Sequence, residues 1–246
     1  MALKHFQLQL IDAQMISPSV RHLSFKMVDT ATKFTFIPGQ FITFLFSQKN
    51  GDVKRRSYSV ASSPEDTNID IAVSYVDDGV ASEHLFGISV GECIQAMGPA
   101  GRLVLNSAEK INRLILMGTG TGIAPYRSML SEVANKVLTS NVNQVDIVLG
   151  VRRRRDIIYA KEFHNYVKRF KNIVFKVFLS REKDTLRTNE HKGYVQDHFS
   201  SLNLFPSEDV VYLCGNPNMV NDAFSILKSQ GFGTKSIRRE KYISSN

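Results

Sequence analysis

From Phe6 to about Leu105 apolar and polar residues alternate in short runs: Phe6, Leu8 and Leu10 first, then Phe41 to Phe46, then Ile69 to Val76. A period of two sends successive side chains to opposite faces of a strand. Turn residues separate the runs at Pro38-Gly39, Asn50-Gly51, Asp78-Gly79 and Gly98-Pro99-Ala100-Gly101. About six short strands in about a hundred residues predict a small antiparallel β-barrel. From Ile111 onward the pattern changes to apolar runs followed by helical spacing. Leu114 to Met117 leads through Gly118 into the amphipathic Pro125 to Val137, and Val145 to Gly150 into Ala160 to Phe170. Ile173 to Leu179 is a further apolar run, and Val210 to Leu213 leads into Pro217 to Gln230. Strands alternating with helices predict a parallel sheet covered on both faces. The chain therefore reads as two domains of β and α/β class, a barrel over residues 1–107 and a parallel-sheet domain over 108–246, with the linker at Asn106 to Lys110 and a polar tail at Ile243 to Asn246.

Composition narrows the partners. Met1 to Gln14 alternates as a strand does and lacks the apolar block of a signal peptide, so a cytoplasmic protein is expected. The longest apolar runs, such as Leu114 to Met117 and Val145 to Leu149, fall far short of the roughly 20 residues a bilayer helix needs, which predicts no membrane insertion. Cys93 and Cys214 are the only cysteines. A thiolate-ligated iron–sulfur cluster takes about four, so no metal centre is expected and any iron–sulfur partner is another molecule. The net charge of +8 favours an acidic surface or a phosphate-bearing ligand. The densest cluster, Arg152 to Arg155, reads by itself as a solvated turn. No stacking aromatics or reading motif accompany it, which argues against nucleic acid.

The candidate chemistry lies at strand ends. Gly118-Thr119-Gly120-Thr121-Gly122-Ile123-Ala124-Pro125 sits between a buried strand and a helix, where a glycine-rich turn lets backbone amides approach a pyrophosphate, as in Rossmann-like nucleotide domains. Ile123 stands where the common G-x-G-x-x-G fingerprint has its last glycine. An NAD site carries a carboxylate for the ribose at the end of the second strand, whereas here that strand ends Gly150-Val151-Arg152 and the next ends Leu179-Ser180-Arg181. Arginine and a hydroxyl suit a 2′-phosphate, so NADPH is expected over NADH. In the barrel half, Arg56-Ser57-Tyr58-Ser59 offers a cation for a phosphate, a ring to stack and hydroxyls for a ring nitrogen. Gly79-Val80-Ala81-Ser82 precedes a short helix over Glu83 to Phe86 and offers an anion site, with Ser82 as donor or cap. Cys214-Gly215-Asn216-Pro217 closes another buried strand, and Glu240 and Tyr242 fall on one face if their segment is a strand.

Together and in this order, these motifs resemble the ferredoxin–NADP reductase family over nearly the whole chain, with Gly98-Pro99-Ala100-Gly101, Ser180-Arg181-Glu182 and Glu240-Lys241-Tyr242 among them. The resemblance, to the bacterial-type members in particular, implies an N-terminal flavin-binding barrel, a C-terminal nucleotide domain and the flavin ring between them. It implies that Arg56 meets the flavin pyrophosphate with Ser57 beside it, that Tyr58 stacks on the isoalloxazine and that Ser59 hydrogen-bonds near its N5. Gly79, Val80, Ala81 and Ser82 would cradle the pyrophosphate through their amides. Gly120, Thr121, Gly122 and Pro125 would form the NADPH pyrophosphate turn, and Ser180 with Arg181 the 2′-phosphate clamp, Arg152 being a second candidate. Cys214, with Gly215 and Pro217, would lie beside the nicotinamide, Glu240 would complete the polar network there, and Tyr242 would cover the flavin face. Plant-type members end on that tyrosine, whereas Ile243 to Asn246 follow here, as in bacterial-type members. The short stretch from Asp77 to Glu83 leaves no long loop for an extended adenosine, so FAD, expected rather than FMN, would be bent toward the C-terminal tail.

The expected activity is hydride transfer from NADPH to bound FAD, then single electrons to an acidic ferredoxin or flavodoxin, by a monomer. A reductase of free flavin or of an oxygenase is the rival among enzymes. A non-catalytic electron-transfer or nucleotide-sensing subunit is the rival outside them, and it would ordinarily bring a cysteine cluster.

Overall fold

In the computed structural model, residues 4–31, 33–48, 51–106 and 110–242 are described. Most of the expected linker (107–109), Asn50 of one expected turn and the polar tail (243–246) lie outside them. The first unit follows the alternation. Its strands are β1 (Lys4–Ser17), β2 (Val20–Met27), β3 (Phe41–Ser47), β4 (Val53–Ser59) and β5 (Ile69–Ser74), then helix α1 (Val80–Gly87) and β6 (Cys93–Ala100). They pair in the order β4-β3-β6-β1-β2-β5, each pairing antiparallel. The Ala61 amide donates to the Asp70 carbonyl at 2.8 Å, a link between the two edges that curls the sheet toward a barrel. Leu8, Leu10, Leu23, Phe25, Ile42, Phe44 and Ile71 are fully buried inside it. Burying each such side chain stabilises the fold by roughly 1.5–3 kcal/mol.

Residues 124–129 pack with this unit. They hold the short helix α2 (Ala124–Ser128), whose Arg127 donates to the Ala61 carbonyl at 2.9 Å and to Asp70 Oδ2 at 3.1 Å. Asp70 Oδ1 accepts from Ser24 at 2.7 Å, and His22 lies 3.6 Å from Oδ2. This buried serine, histidine and aspartate are no nucleophilic relay, because the hydroxyl proton goes to the carboxylate rather than to the imidazole. The single helix expected from Pro125 to Val137 is broken at Met129, whose amide reaches the Pro125 carbonyl at a long 3.2 Å.

The second unit, residues 106–123 and 130–243, alternates strand and helix as expected. It comprises β7 (Ile111–Thr119), α3 (Leu130–Leu138), β8 (Val142–Val151), α4 (Ala160–Arg169), β9 (Ile173–Leu179), β10 (Glu190–Lys192), β11 (Asp209–Gly215), α5 (Pro217–Ser229) and β12 (Ile237–Lys241). All pairings are parallel, in the order β10-β9-β8-β7-β11-β12. Every residue of β11 is buried, the pattern of a central strand covered on both faces. On one face α5 and the turn at Val195–Ser201 cover Ile115, Met117, Val148 and Val211; on the other Phe163 of α4 stacks on Phe175 of β9 with centroids 5.0 Å apart.

The first half of these strands holds a buried charge cluster that the sequence did not announce. Asp146 lies 3.6 Å from Arg113 Nε, 3.6 Å from Lys176 Nζ and 3.8 Å from His198 Nε2. Nearby, the His191 ring stacks on Phe178; burial, then the charges of Lys176 and His198, hold it below the ordinary imidazole range.

Candidate active site

In the barrel unit, β4 carries Arg56 and Tyr58 on one face and Ser57 and Ser59 on the other. Tyr58 is half-buried against Phe44, with ring centroids 5.8 Å apart. Burial pushes its phenol up to about 12, against the opposing pull of the Arg56 charge, so the ring stays neutral. The Ser57 hydroxyl shares a hydrogen bond of 2.8 Å with Thr43 on β3, and Ser59 is buried. Beyond β5, Gly79 caps α1, and a Cβ there would stand 2.7 Å from Ser82 Oγ and 2.9 Å from the Val76 carbonyl oxygen. The sequence reading of Ser82 needs correction. Its hydroxyl makes no cap bond; it bonds the Val76 and Gly79 carbonyls, each at 2.9 Å, and accepts from the Val76 amide at 3.2 Å. What the motif leaves for an anion is the first-turn amides of Val80, Ala81 and Ser82, which helix geometry leaves without intrahelical acceptors.

In the second unit β7 is the point where strand order reverses, with β8 on one side and β11 on the other, the position at which open parallel sheets take their ligands. The glycine turn follows β7 as a 3-10 segment, Gly120–Ile123. Its glycines divide the work. A Cβ on Gly118 would stand 2.7 Å from the Gly122 carbonyl oxygen, and one on Gly122 would overlap the Cys214 carbonyl. Gly118 therefore lets the turn fold back over the end of β7, and Gly122 lets it nest against β11. Gly120, at φ +53, has nothing within 4 Å of its Cβ position and is the open glycine of the three. Ile123, where the fingerprint has a glycine, is fully buried. The nesting is completed by the Asn216 amide, which donates to Thr119 Oγ1 at 2.9 Å. Asn216 Oδ1 in turn accepts from the Asn218 amide at 2.9 Å and caps α5, with Pro217 in its first turn.

The structure brings Cys214, Glu240 and Tyr242 together. Cys214 pairs in register with Glu240 across β11 and β12, and the Tyr242 amide donates to the Gly215 carbonyl at 2.8 Å. Cys214 is fully buried; burial pushes its thiol well above the ordinary value, the Glu240 charge pushes the same way, and a hydrogen bond from the Tyr242 side chain opposes them. Cys214 is a neutral thiol at physiological pH.

Beyond β8 and β9 lies a cavity of about 560 Å³ lined by Arg153, Arg154, Arg155, Arg181, Glu182, Lys183 and Asp184. Its volume is in the range of small-ligand sites, roughly 300–1,000 Å³. Arg181 is in place, its amide donating to the Arg152 carbonyl at 2.8 Å. Arg152 and Ser180 do not line the cavity, whereas three arginines of the run that read as a solvated turn do. Arg154 is turned inward: its Nε donates to Glu190 Oε1 at 2.9 Å and its Nη2 to Oε2 at 2.7 Å and to the Thr185 carbonyl at 2.8 Å. The Arg154 amide donates to Glu182 Oε2 at 2.8 Å, and Glu182 Oε1 accepts the Lys183 amide at 2.9 Å. Those amide bonds lower the Glu182 carboxyl, and the Arg154 hydrogen bond lowers that of Glu190. Glu190, 36 positions from Arg154, was invisible as a partner, since nothing in the spacing links the two.

Comparison with known proteins agrees with this division. Residues 7–105 match the oxidoreductase FAD-binding domain and residues 116–224 the oxidoreductase NAD-binding domain. Ferredoxin--NADP reductase B of Sorangium cellulosum is 31% identical over 245 residues, covering 96% of this chain and 97% of that protein. The chain belongs to the ferredoxin–NADP reductase family. It is also similar to the toluate 1,2-dioxygenase electron transfer component of Pseudomonas putida, 24% identical, with 98% of this chain and 68% of that protein covered. A ferredoxin NADP+ reductase from Neisseria gonorrhoeae, solved with bound FAD and NADP, has the same fold at a TM-score of 0.83 and 19% identity, covering 98% of this chain and 99% of that one. The protein is thus an oxidoreductase that carries electrons from NAD(P)H through FAD. The donor sets fit both groups: free first-turn amides and a neutral, half-buried tyrosine in the FAD-binding unit, an open glycine and a cationic cavity in the nucleotide-binding unit. No described helix is long and apolar enough to cross a membrane, and no group of three or more His, Cys, Asp or Glu among the described residues is placed to hold a metal.

Proposed function

We propose that this reductase draws on NADPH in preference to NADH and passes the electrons, by way of FAD, to a separate acidic carrier of the ferredoxin or flavodoxin kind. The observation that carries the NADPH preference is the cavity beyond β8 and β9, where Arg153, Arg155, Arg181 and Lys183 gather and no carboxylate follows the last residue of β8 as a ribose ligand. A 2′-phosphate adds about two negative charges, and charge-assisted bonds to arginine are the strong ones. Arg181 is the principal clamp residue, with Ser180 before it on the chain and the Arg152 carbonyl accepting its amide at 2.8 Å.

Bound FAD supplies the conversion of a two-electron donor into one-electron deliveries. The chain's own part is to bind, orient and keep out water. Arg56 neutralises pyrophosphate charge with Ser57 next to it, the amides of Val80, Ala81 and Ser82 after Gly79 donate to the anion, Tyr58 offers a ring held neutral by burial, and Ser59 offers a hydroxyl at the end of β4. On the nucleotide side the turn from Gly120 through Thr121 and Gly122 to Pro125 receives the coenzyme pyrophosphate. Cys214, Gly215 and Pro217 form the floor for the nicotinamide, with Glu240 completing the polar network there and Tyr242 as the aromatic that covers the flavin face. A neutral Cys214 suits that place, since a thiolate would titrate and compete as a nucleophile.

The net charge of +8 favours an acidic partner, with association that weakens as salt is raised. Similarity to a dioxygenase electron transfer component supports a second reading, in which the acceptor is an oxygenase component. The test of the clamp is Arg181→Ala. KM for NADPH rises about 10- to 100-fold and KM for NADH changes less than about twofold, as removal of a charge-assisted phosphate contact requires. Equal changes for the two coenzymes would refute the preference.

A further inference from the structure

We propose that Arg154 and Glu190 are a positioning pair for the coenzyme phosphate: they staple the loop after β9 to the turn after β8, so that Arg153, Arg155, Arg181 and Lys183 converge on one anion. The proposal rests on the NADPH reading above and adds to it the device that aims the clamp.

Among the cations lining the cavity, Arg154 is consumed by the protein itself. Its guanidinium faces the Glu190 carboxylate through two donors at 2.9 and 2.7 Å, and one of these also reaches the Thr185 carbonyl. Its side chain is 19% exposed and that of Glu190 is 7% exposed, so the pair is shielded from water. Glu190 does not line the cavity; it acts only through what it holds. It holds a good deal, since its Oε2 also accepts the Arg187 amide at 2.8 Å, and the Arg154 amide fixes Glu182, which gathers the amides of Lys183 and Asp184. Residues 180–189 contain no helix or strand, and these bonds with Arg181 N–H to the Arg152 carbonyl are what give that loop its shape.

A loop left free would have to be ordered when the coenzyme arrives, with a loss of side-chain entropy for each long side chain immobilised. The staple meets that cost in advance. Lysine cannot replace arginine here, because the ammonium offers one point of attachment where the guanidinium fork spans both carboxylate oxygens and a carbonyl. The pair therefore governs selectivity without touching the phosphate, and its loss weakens binding of phosphorylated coenzyme while leaving the rate of the chemical step alone.

The experiment compares Arg154→Lys, Glu190→Gln, the double variant and Arg181→Ala in the FAD-loaded protein. Calorimetric titration with NADP+, NAD+ and 2′-AMP is paired with steady-state kinetics on NADPH and NADH, and the flavin absorbance spectrum and melting temperature report folding. Each single variant is expected to weaken NADP+ and 2′-AMP about 5- to 30-fold, to leave NAD+ within about twofold, and to raise KM for NADPH with kcat unchanged. The double variant should be no weaker than the worse single one, as for residues acting as a unit. Lowered melting with unaltered NADP+ binding would make the pair a brace for the fold and overturn the proposal. Tighter NADP+ binding by Glu190→Gln would overturn it too, because net charge and not placement would then govern. If Glu190→Gln does not fold, Glu190→Asp keeps the charge, shortens the reach and is read the same way. Should Arg181→Ala weaken NADP+ and NAD+ equally, the NADPH reading itself fails; should it weaken NADP+ alone while the Arg154 and Glu190 variants do nothing, only the positioning pair fails.

Discussion

The two units aim their functional side chains by different means. In the barrel four of the FAD candidates sit on one edge strand, β4, where a period of two alone sends Arg56 and Tyr58 to one face and Ser57 and Ser59 to the other. In the parallel sheet the candidates for the coenzyme phosphates sit on turns beyond the strand ends, and their direction depends on partners from elsewhere in the chain, Glu190 for Arg154 and Cys214 for Gly122. A site carried on a strand inherits its aim from the ladder; a site carried on turns must be held, and each holding contact is a point at which it fails.

The largest break comes from removing a charge that the sheet compensates internally. Asp146→Ala leaves Arg113 and Lys176 beside a vacated buried position and is expected to cost about 3 kcal/mol, read as a lowered urea midpoint, with nothing comparable for an exposed carboxylate such as Glu65. The next contrast lies within one turn. Gly122→Ala drives a methyl into the Cys214 carbonyl and is expected to destabilise by about 2 kcal/mol. Gly120→Ala has open space, loses only about 1 kcal/mol for its positive φ, and shows its main effect as weaker coenzyme binding. Equal losses of stability at both positions would erase the division between a packing glycine and a ligand-facing one.

The smallest effect is alkaline and touches both units. Tyr58 and Cys214 are raised in the folded protein, so each contributes stability that is complete below its ordinary pKa and is lost as pH rises, from 10.0 toward about 12 for Tyr58 and from 9.0 upward for Cys214. Urea midpoints are expected to fall between pH 8.5 and 11.5, and Tyr58→Phe to flatten the barrel's share. In the same samples a thiol reagent at pH 8 should label exposed Cys93 well before Cys214.

These contrasts also explain what could be read in advance. Strand alternation and glycine-ended apolar runs announced both sheets, because burial on one face or two imposes a local period. Gly122 was legible as a required glycine, but the reason was half missed: it was expected to admit a pyrophosphate, and the structure shows it admitting the backbone of β11. Ser82 was taken for a cap or a ligand donor because it opens a helix, and only the folded turn reveals Val76 and Gly79 as its partners. The arginine run hid its structure best. Four identical letters say nothing of which side chain turns inward, and the answer depends on a carboxylate brought close only by the pairing of β10 with β9.

Within the strands Arg113, Lys176 and His198 share the one carboxylate of Asp146, whereas beyond β8 and β9 the arginines and Lys183 of the cavity outnumber Glu182 and Asp184 by a wider margin. The strand axis is thus also an electrical axis, more positive at its tip than midway. A polyanion drifting along this unit feels a gradient that leads to one end, whichever side it approaches from.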